Sequence, residues 1–422
     1  MKKRLLSWLM VLILCLTLLP TAAFAAGEEQ DPAEAGEETL IQGQPEEPEK
    51  ELAPESEPAL LAVSGISTQT AAHENHCRCG AEHKAIGDHT DANASPITFT
   101  EWTDALAEQQ NGSGKTAANS LPKEGNNFYY LTKDVELSTS WQPANGTVLC
   151  LNGCGIKSTS YSSAVTVGED VEFTLVDCNG SNKTYHFSES YKRWKLDESG
   201  SHTVTGGILT SDGSGVYIKS GTFNMYGGTI VGNSGNSNKG GVFVGFNGSG
   251  NTFNMYGGAI TGNRVSGEST SDGGAGVYVR GDSNTFNMYG GEITNNATRK
   301  NASGGGVNVY EKATFNMTGG TIGGEEKGNT SSWGGGGVYM SDSTFTMSGT
   351  AKIADNIESR SSGGGVDVPD GTFTMSGDAK IINNKTTGSQ GHGGGVCMSS
   401  GQFTMSGNAT IIGNSCGSTY TD

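Results

Sequence analysis

Four of the chain's seven histidines and two of its eight cysteines fall within seventeen residues, as His73, His76, Cys77, Cys79, His83 and His89. Imidazole nitrogens and thiolates at such short spacing can wrap one ion, and zinc takes a tetrahedral set of these ligands. A structural zinc is one reading. The other is a local disulfide between Cys77 and Cys79, or free thiols, because Cys-x-Cys is less diagnostic than paired Cys-x-x-Cys spacings. Cys150 and Cys178 stand 28 residues apart, close to the length of the repeat described below. They are therefore candidates for a disulfide between successive repeats, provided the chain reaches an oxidising compartment. With Cys154, Cys397 and Cys416 also present, the pairing stays open, and at least one of the seven cysteines after Cys15 is unpaired or metal-bound.

A second group of residues points to surface recognition. Tyr226, Tyr256 and Tyr289 occupy the same place in consecutive repeats, with Asn224, Asn254, Asn287 and Asn316 two residues earlier in their phrases; Tyr217, Phe243, Tyr278 and Tyr339 recur in a neighbouring phrase. Exposed rings can stack on sugar faces while amides and hydroxyls bond the rims, so these ladders are candidates for holding a polysaccharide or host-surface glycan. The same ladders could equally serve only to stabilise a sheet. A lyase would need carboxylates to hold calcium and a cation to remove a proton or steady developing charge. Glu311, Asp342, Asp367 and Asp370, with Lys352 and Arg360, are the available set. Most of these acids fall at turns, where charge commonly keeps a rod soluble and its edges unpaired. No catalytic residue is assigned.

The elements that must position these residues are set by a phrase that occurs seven times. Phe-x-Met stands at Phe223, Phe253, Phe286, Phe315, Phe345, Phe373 and Phe403, at intervals of 30, 33, 29, 30, 28 and 30 residues. A period of this size is the mark of a solenoid, in which each unit buries its apolar face against its neighbours. Each unit carries three short phrases of strand parity, for example Gly241 to Val244, Thr252 to Tyr256 and Ala259 to Thr261. The glycine content and absence of three-and-four apolar spacing exclude helical repeats. The prediction is an all-β fold, a right-handed parallel β-helix with three strands per coil of about 30 residues.

Asparagine follows three residues after the isoleucine of the third phrase, at Asn233, Asn263, Asn296, Asn356, Asn384 and Asn414. Such a residue suits a bend in the left-handed backbone region and predicts an asparagine ladder, broken in the fourth repeat where Glu325 takes the place. Glycine runs at Gly304 to Gly306, Gly334 to Gly337, Gly363 to Gly365 and Gly393 to Gly395 are read as corners, not phosphate loops, since no helix is patterned after them.

Residues 1–25 read as a signal peptide, with Lys2, Lys3 and Arg4 ahead of an apolar stretch and Ala23-Phe24-Ala25 as the cleavage site. Residues 26–72 form an acidic, Pro-rich spacer expected to be disordered, 73–95 the Cys/His-rich segment, and 96–422 the β-helix, with irregular first coils over 126–203 and regular repeats over 204–422. The formal net charge of −18 and the lack of a basic stripe argue against nucleic acid as a partner. No second apolar run could cross a bilayer, and the last coil lacks a capping segment, which suggests a truncated chain. A short amphipathic helix is expected over Thr100 to Ala107, with Thr100 as its N-cap, covering the first coil.

The stretch Cys77-Arg78-Cys79-Gly80, Ile86 to His89, Phe128 to Val135, Val148 to Gly153 and Asp177-Cys178, followed by the Gly-Gly-Val and Thr-Phe-x-Met-x-Gly repeats, resembles large secreted or cell-surface repeat proteins of Gram-positive gut bacteria. The resemblance covers most of residues 73–422. It implies a right-handed parallel β-helix of the pectin-lyase-like class in an adhesin-like surface protein, and a sugar-related role. It does not imply catalysis, because fold and function separate readily. The expectation is an exported, non-catalytic module that binds glycans; a polysaccharide lyase or hydrolase and a purely structural spacer are the alternatives.

Overall fold

The computed structural model describes residues 98–180, 182–188, 193–196, 202–236, 240–245, 250–267, 273–389 and 391–417. The signal-peptide, spacer and Cys/His-segment expectations, with His73, His76, Cys77, Cys79, His83 and His89, lie outside the described residues.

The chain winds as an all-β parallel β-helix whose coils stack four sheets. In one regular coil a valine strand (Val242–Gly245) is followed by a phenylalanine strand (Thr252–Met255), an isoleucine strand (Ala259–Thr261) and a short strand (Arg264–Gly267). Equivalent strands pair in parallel and in exact register from coil to coil, so that Phe253 faces Phe223 and Phe286, and Ile260 faces Ile230 and Ile293. The three expected strands per coil are present, and the fourth is an addition. It is as short as Thr330–Ser331 or Ile357–Glu358, and its inward positions, Val265 followed by Thr298, Ser331, Glu358 and Thr386, carry no recurring apolar pattern to reveal it.

Period-two alternation decides the core. Phe and Met of each phrase point inward with Val242, Val244 and Ile260, and all are fully buried over most of the solenoid. The rings form one continuous file from Phe173 to Phe403, with neighbouring centroids 4.6 to 5.5 Å apart. The edge of Trp141 closes the file against Phe173. At the N-terminal end the helix is Asp104–Asn111, N-capped by Thr103, whose hydroxyl accepts from Leu106 N–H at 3.3 Å. Thr100 is not the cap, because Thr100–Glu101 adds a parallel strand to Phe128–Tyr130 and directs Trp102 into the core. Buried Trp102, Ala107, Ala117 and Leu121 join the core cluster and cover the first coil, as expected of this segment.

The asparagine ladder runs unbroken from Asn233 to Asn414. Glu325 does not interrupt it. A four-residue insertion places Asn329 on the rung instead, and Asn296 donates to Asn329 Oδ1 from both its backbone N–H and Nδ2 at 3.0 Å. Each rung works alike: Oδ1 accepts two bonds from the preceding coil's asparagine, while Nδ2 also reaches back to an isoleucine carbonyl, as Asn296 does to Ile260 at 2.9 Å. Asn233 Oδ1 is buried without a partner, which follows from its being the first rung. The left-handed residue of the bend is the one before the ladder asparagine, for example Gly262 (φ 64°), Asn295 (φ 54°) and Asp355 (φ 57°). The ladder residue is thereby free to turn its amide inward.

The glycine corners act by close approach. A Cβ on Gly274, Gly304, Gly363 or Gly393 would lie 2.5 to 2.8 Å from the Cβ of Tyr278, Asn308, Asp367 or Cys397, and each glycine has φ between 59° and 69°. A side chain is excluded both by space and by backbone conformation. The corner backbone thus lies over the outward face of the valine strands, where Thr298 and Ser331 hydroxyls hold it by donating to Ala302 O (2.9 Å) and Gly334 O (2.8 Å).

The charged stretch counted among the first coils is a departure from the helix. Asn182–Ser188, Arg193–Leu196 and His202–Thr205 form a separate three-stranded sheet, and its two pairings are antiparallel.

Candidate ligand-binding cleft

The tyrosine file is built as expected, but its ring faces are occupied. Tyr226 stacks on Tyr256 with centroids 4.3 Å apart and planes 8° apart, and Tyr256 stacks on Tyr289 at 4.9 Å and 13°. Tyr226 also packs on the small apolar cluster of Phe99, Val148, Cys150 and Val176. The remaining ring face belongs to Tyr289, which is 47 % exposed because the next coil has Thr318 at this position. Asn224, Asn254, Asn287 and Asn316 form a second amide ladder with each Nδ2 donating to the preceding Oδ1 at 2.9 Å. Asn224 itself donates to Glu172 at 2.9 Å.

Tyr217, Phe243 and Tyr278 do stack, at 5.1 and 5.3 Å, yet this file is not an open surface. Phe243 is 8 % exposed and Tyr278 fully buried. The glycine corners cover the row, and Asn308 separates Tyr278 from Tyr339 in the register. This corrects the expectation that Phe243, Tyr278 and Tyr339 face solvent, while Tyr217 at the start of the row is half-buried. A polar compartment lies under the same cover. The buried Asn308 amide, Ser303 Oγ and Glu358 Oε2 have no hydrogen-bond partner. Burial and the neighbouring Glu358 push the Asp367 carboxyl up to about 7.

Among the described residues a surface cleft lies elsewhere, on the isoleucine sheet. It is a cleft of about 680 Å³ floored by Gly228, Thr229, Gly258, Ala259, Thr261 and Thr294. Two departures from the repeat wall it. On one side stand Thr203 to Gly206 of the antiparallel insert, where Thr229 Oγ1 donates to Thr205 O at 3.0 Å. On the other stands the four-residue insertion, where Asn295 N–H donates to Lys327 O at 2.9 Å and Lys327 Nζ lies 3.6 Å from Glu292. Tyr226 and Tyr256 precede the floor glycines Gly228 and Gly258 by two residues, so the tyrosine file runs along the corner beside the cleft. The repeat period does not reveal this cleft, although the irregular stretch ending at Thr203 and the Glu325 position stand out in the sequence as breaks in the pattern.

Asp177 lines the cleft and braces its N-terminal wall. Its Oδ1 accepts from Gly153 N–H at 2.8 Å and its Oδ2 from Gly207 N–H. Burial raises this carboxyl to about 6, against the lowering effect of those amides. Counting Glu292, Glu325 and Glu326, the lining holds four carboxylates and one ammonium, Lys327.

The residues considered for lyase chemistry do not converge. Glu311 is held by Arg280 in a two-bond ion pair at 2.7 Å. Asp342 and Asp370 are exposed turn residues, and Asp367 is buried beneath the glycine corner. Among the described residues no group of three or more His, Cys, Asp or Glu is placed to hold a metal ion. Cys150 Sγ lies 3.3 Å from Cys178 Sγ, both being thiols. No helix of the described residues is long and apolar enough to cross a membrane. In comparisons with known proteins, no family model, curated protein or solved structure matches the chain.

Proposed function

We propose that this solenoid is a non-catalytic, glycan-binding module of an exported surface protein, and that the ligand lies in the cleft on the isoleucine sheet. The observation that carries the reading is the cleft's construction: two insertions rise from an otherwise regular rod and flank a floor of glycine, alanine and threonine. Such a floor lets a flat, hydroxyl-rich chain approach the backbone closely, and the threonine hydroxyls and the edges of the neighbouring tyrosines supply polar contacts. Tyr289 offers the one stacking face of its file, three residues before Glu292. The excess of carboxylates favours neutral or amine-bearing glycans over uronate or sulfated ones, because like charges repel in a partly enclosed site.

The test is retention of the purified chain on a panel of neutral, amino and acidic polysaccharides. Ala259→Arg, which fills the floor, is expected to reduce retention at least roughly tenfold while leaving the melting midpoint unchanged. Retention indifferent to Ala259→Arg would remove the cleft from consideration. Asp177 favours a second reading, catalysis, since a carboxyl held near neutrality in a cleft is a candidate acid. Its two oxygens are taken by backbone amides of two coils, which favours bracing instead. New chain ends released from any polymer, and lost in Asp177→Asn, would reverse that judgement.

A further inference from the structure

We propose that Cys150 and Cys178 form a disulfide that staples two successive coils and fixes Asp177 in the cleft wall. Cys150 ends the strand Thr147–Cys150, which runs parallel to Val171–Val176 with Cys150 beside Val176. Two residues further on, Cys178 returns its sulfur to 3.3 Å from that of Cys150. A disulfide bond is about 2.0 Å long, so closure needs an approach of about 1 Å.

The surroundings favour a pair over other uses of two thiols. Phe99, Val148, Val176 and Tyr226 pack round the sulfurs, and no third acidic, thiol or imidazole group completes a metal set among the described residues. Cys150 is fully buried, whereas Cys178 is partly exposed. The hydrogen bond with Cys178 and burial both raise the Cys150 thiol well above its ordinary range. Cys178 is therefore the first to react. Its thiolate attacks a low-molecular-weight disulfide, releasing one thiol and leaving a mixed disulfide on Cys178. Cys150 then gives up its proton and displaces the second thiol as the Cys150–Cys178 bond forms. Two electrons pass to the oxidant, and the two protons end on the released thiols.

The staple has a consequence for the cleft. Asp177 immediately precedes Cys178, and its carboxylate joins Gly153 of one coil to Gly207 of the next. Tying Cys178 to Cys150 fixes the backbone that aims this carboxylate.

The experiment is peptide mapping without reductant on the full chain after exposure to oxidised glutathione, with free thiols alkylated under denaturing conditions. The expected result is a cross-linked Cys150/Cys178 peptide pair and a melting midpoint that falls by roughly 5 °C on reduction. The fall should vanish in Cys178→Ser and persist in Cys154→Ser. Alkylation of both Cys150 and Cys178 in the oxidised chain, or a link from either to Cys154, overturns the proposal. Cys178→Ser replaces the partly exposed partner, so it keeps the test readable if the buried Cys150→Ser does not fold.

Discussion

The two buried zones of each coil obey opposite rules. The phenylalanine file is uniform, each ring lying flat on the next from Phe173 to Phe403. The compartment under the glycine corners is a file of unlike residues, running Tyr278, Asn308, Tyr339, Asp367 and Cys397 in register. An unbroken stack in an apolar core demands an aromatic ring without a polar group in every coil, so the first file stays constant. The second is closed by backbone, and a cover made of glycine constrains the size and polarity beneath it less strictly. Where the repeat is strict, buried polar groups such as the ladder asparagines are paired coil by coil, and buried polar atoms without partners, at Ser303, Asn308 and Glu358, collect where it is loose.

The sharpest test of this contrast removes one ring from the uniform file. Phe286→Ala leaves a cavity between Phe253 and Phe315, and a loss of about 3–5 kcal/mol is expected, measured by chemical denaturation. Asn296→Ala should cost about 2–3 kcal/mol, because it strips Oδ1 from the buried N–H and Nδ2 of Asn263. An effect as small as that of a surface substitution would show the ladder to be ornamental.

Inside the compartment the expected sign reverses. The Asp367 carboxyl is raised to about 7 from 3.8, so between these values the folded chain holds a proton that the unfolded chain releases. Stability therefore falls as pH rises from about 4 to about 7 and is flat above. Burial also raises Glu358, which adds to the same slope. Asp367→Asn should stabilise by about 2 kcal/mol at pH 8 and by little at pH 4, as read from melting curves across that range. A pH-independent effect would place the carboxylate's cost elsewhere. The smallest change expected is Asn308→Val, which replaces a buried amide lacking partners and should gain about 1 kcal/mol or leave stability unchanged. A marked loss would mean that internal water satisfies the amide.

The strict part of this molecule was readable from residues alone. Phe-x-Met at strand parity fixed the inward face, and the isoleucine phrases fixed the paired strands, because both depend on side-chain burial that repeats every coil. The fourth strand escaped because, after Val265, its inward residues Thr298, Ser331, Glu358 and Thr386 are polar. Asn329 escaped because an insertion moved it four residues from the place where Glu325 stands. Tyr278 was expected at the surface because parity tells which side of a strand a ring occupies, not what folds over that side. The cleft was hidden for the same reason: its walls are departures from the period, and a period describes only what recurs.

The asparagine rungs also give the rod a direction of growth. Every rung leaves its backbone N–H and Nδ2 waiting for an oxygen from the coil that follows. Each rung's backbone N–H is thus satisfied only by the coil that follows, as a ratchet tooth is held by the next one to engage, while its Oδ1 and a second Nδ2 bond tie it to the coil before. A chain emerging N-terminus first would lay down coils in the order in which they lock, and the newest coil would always be the one still able to come undone.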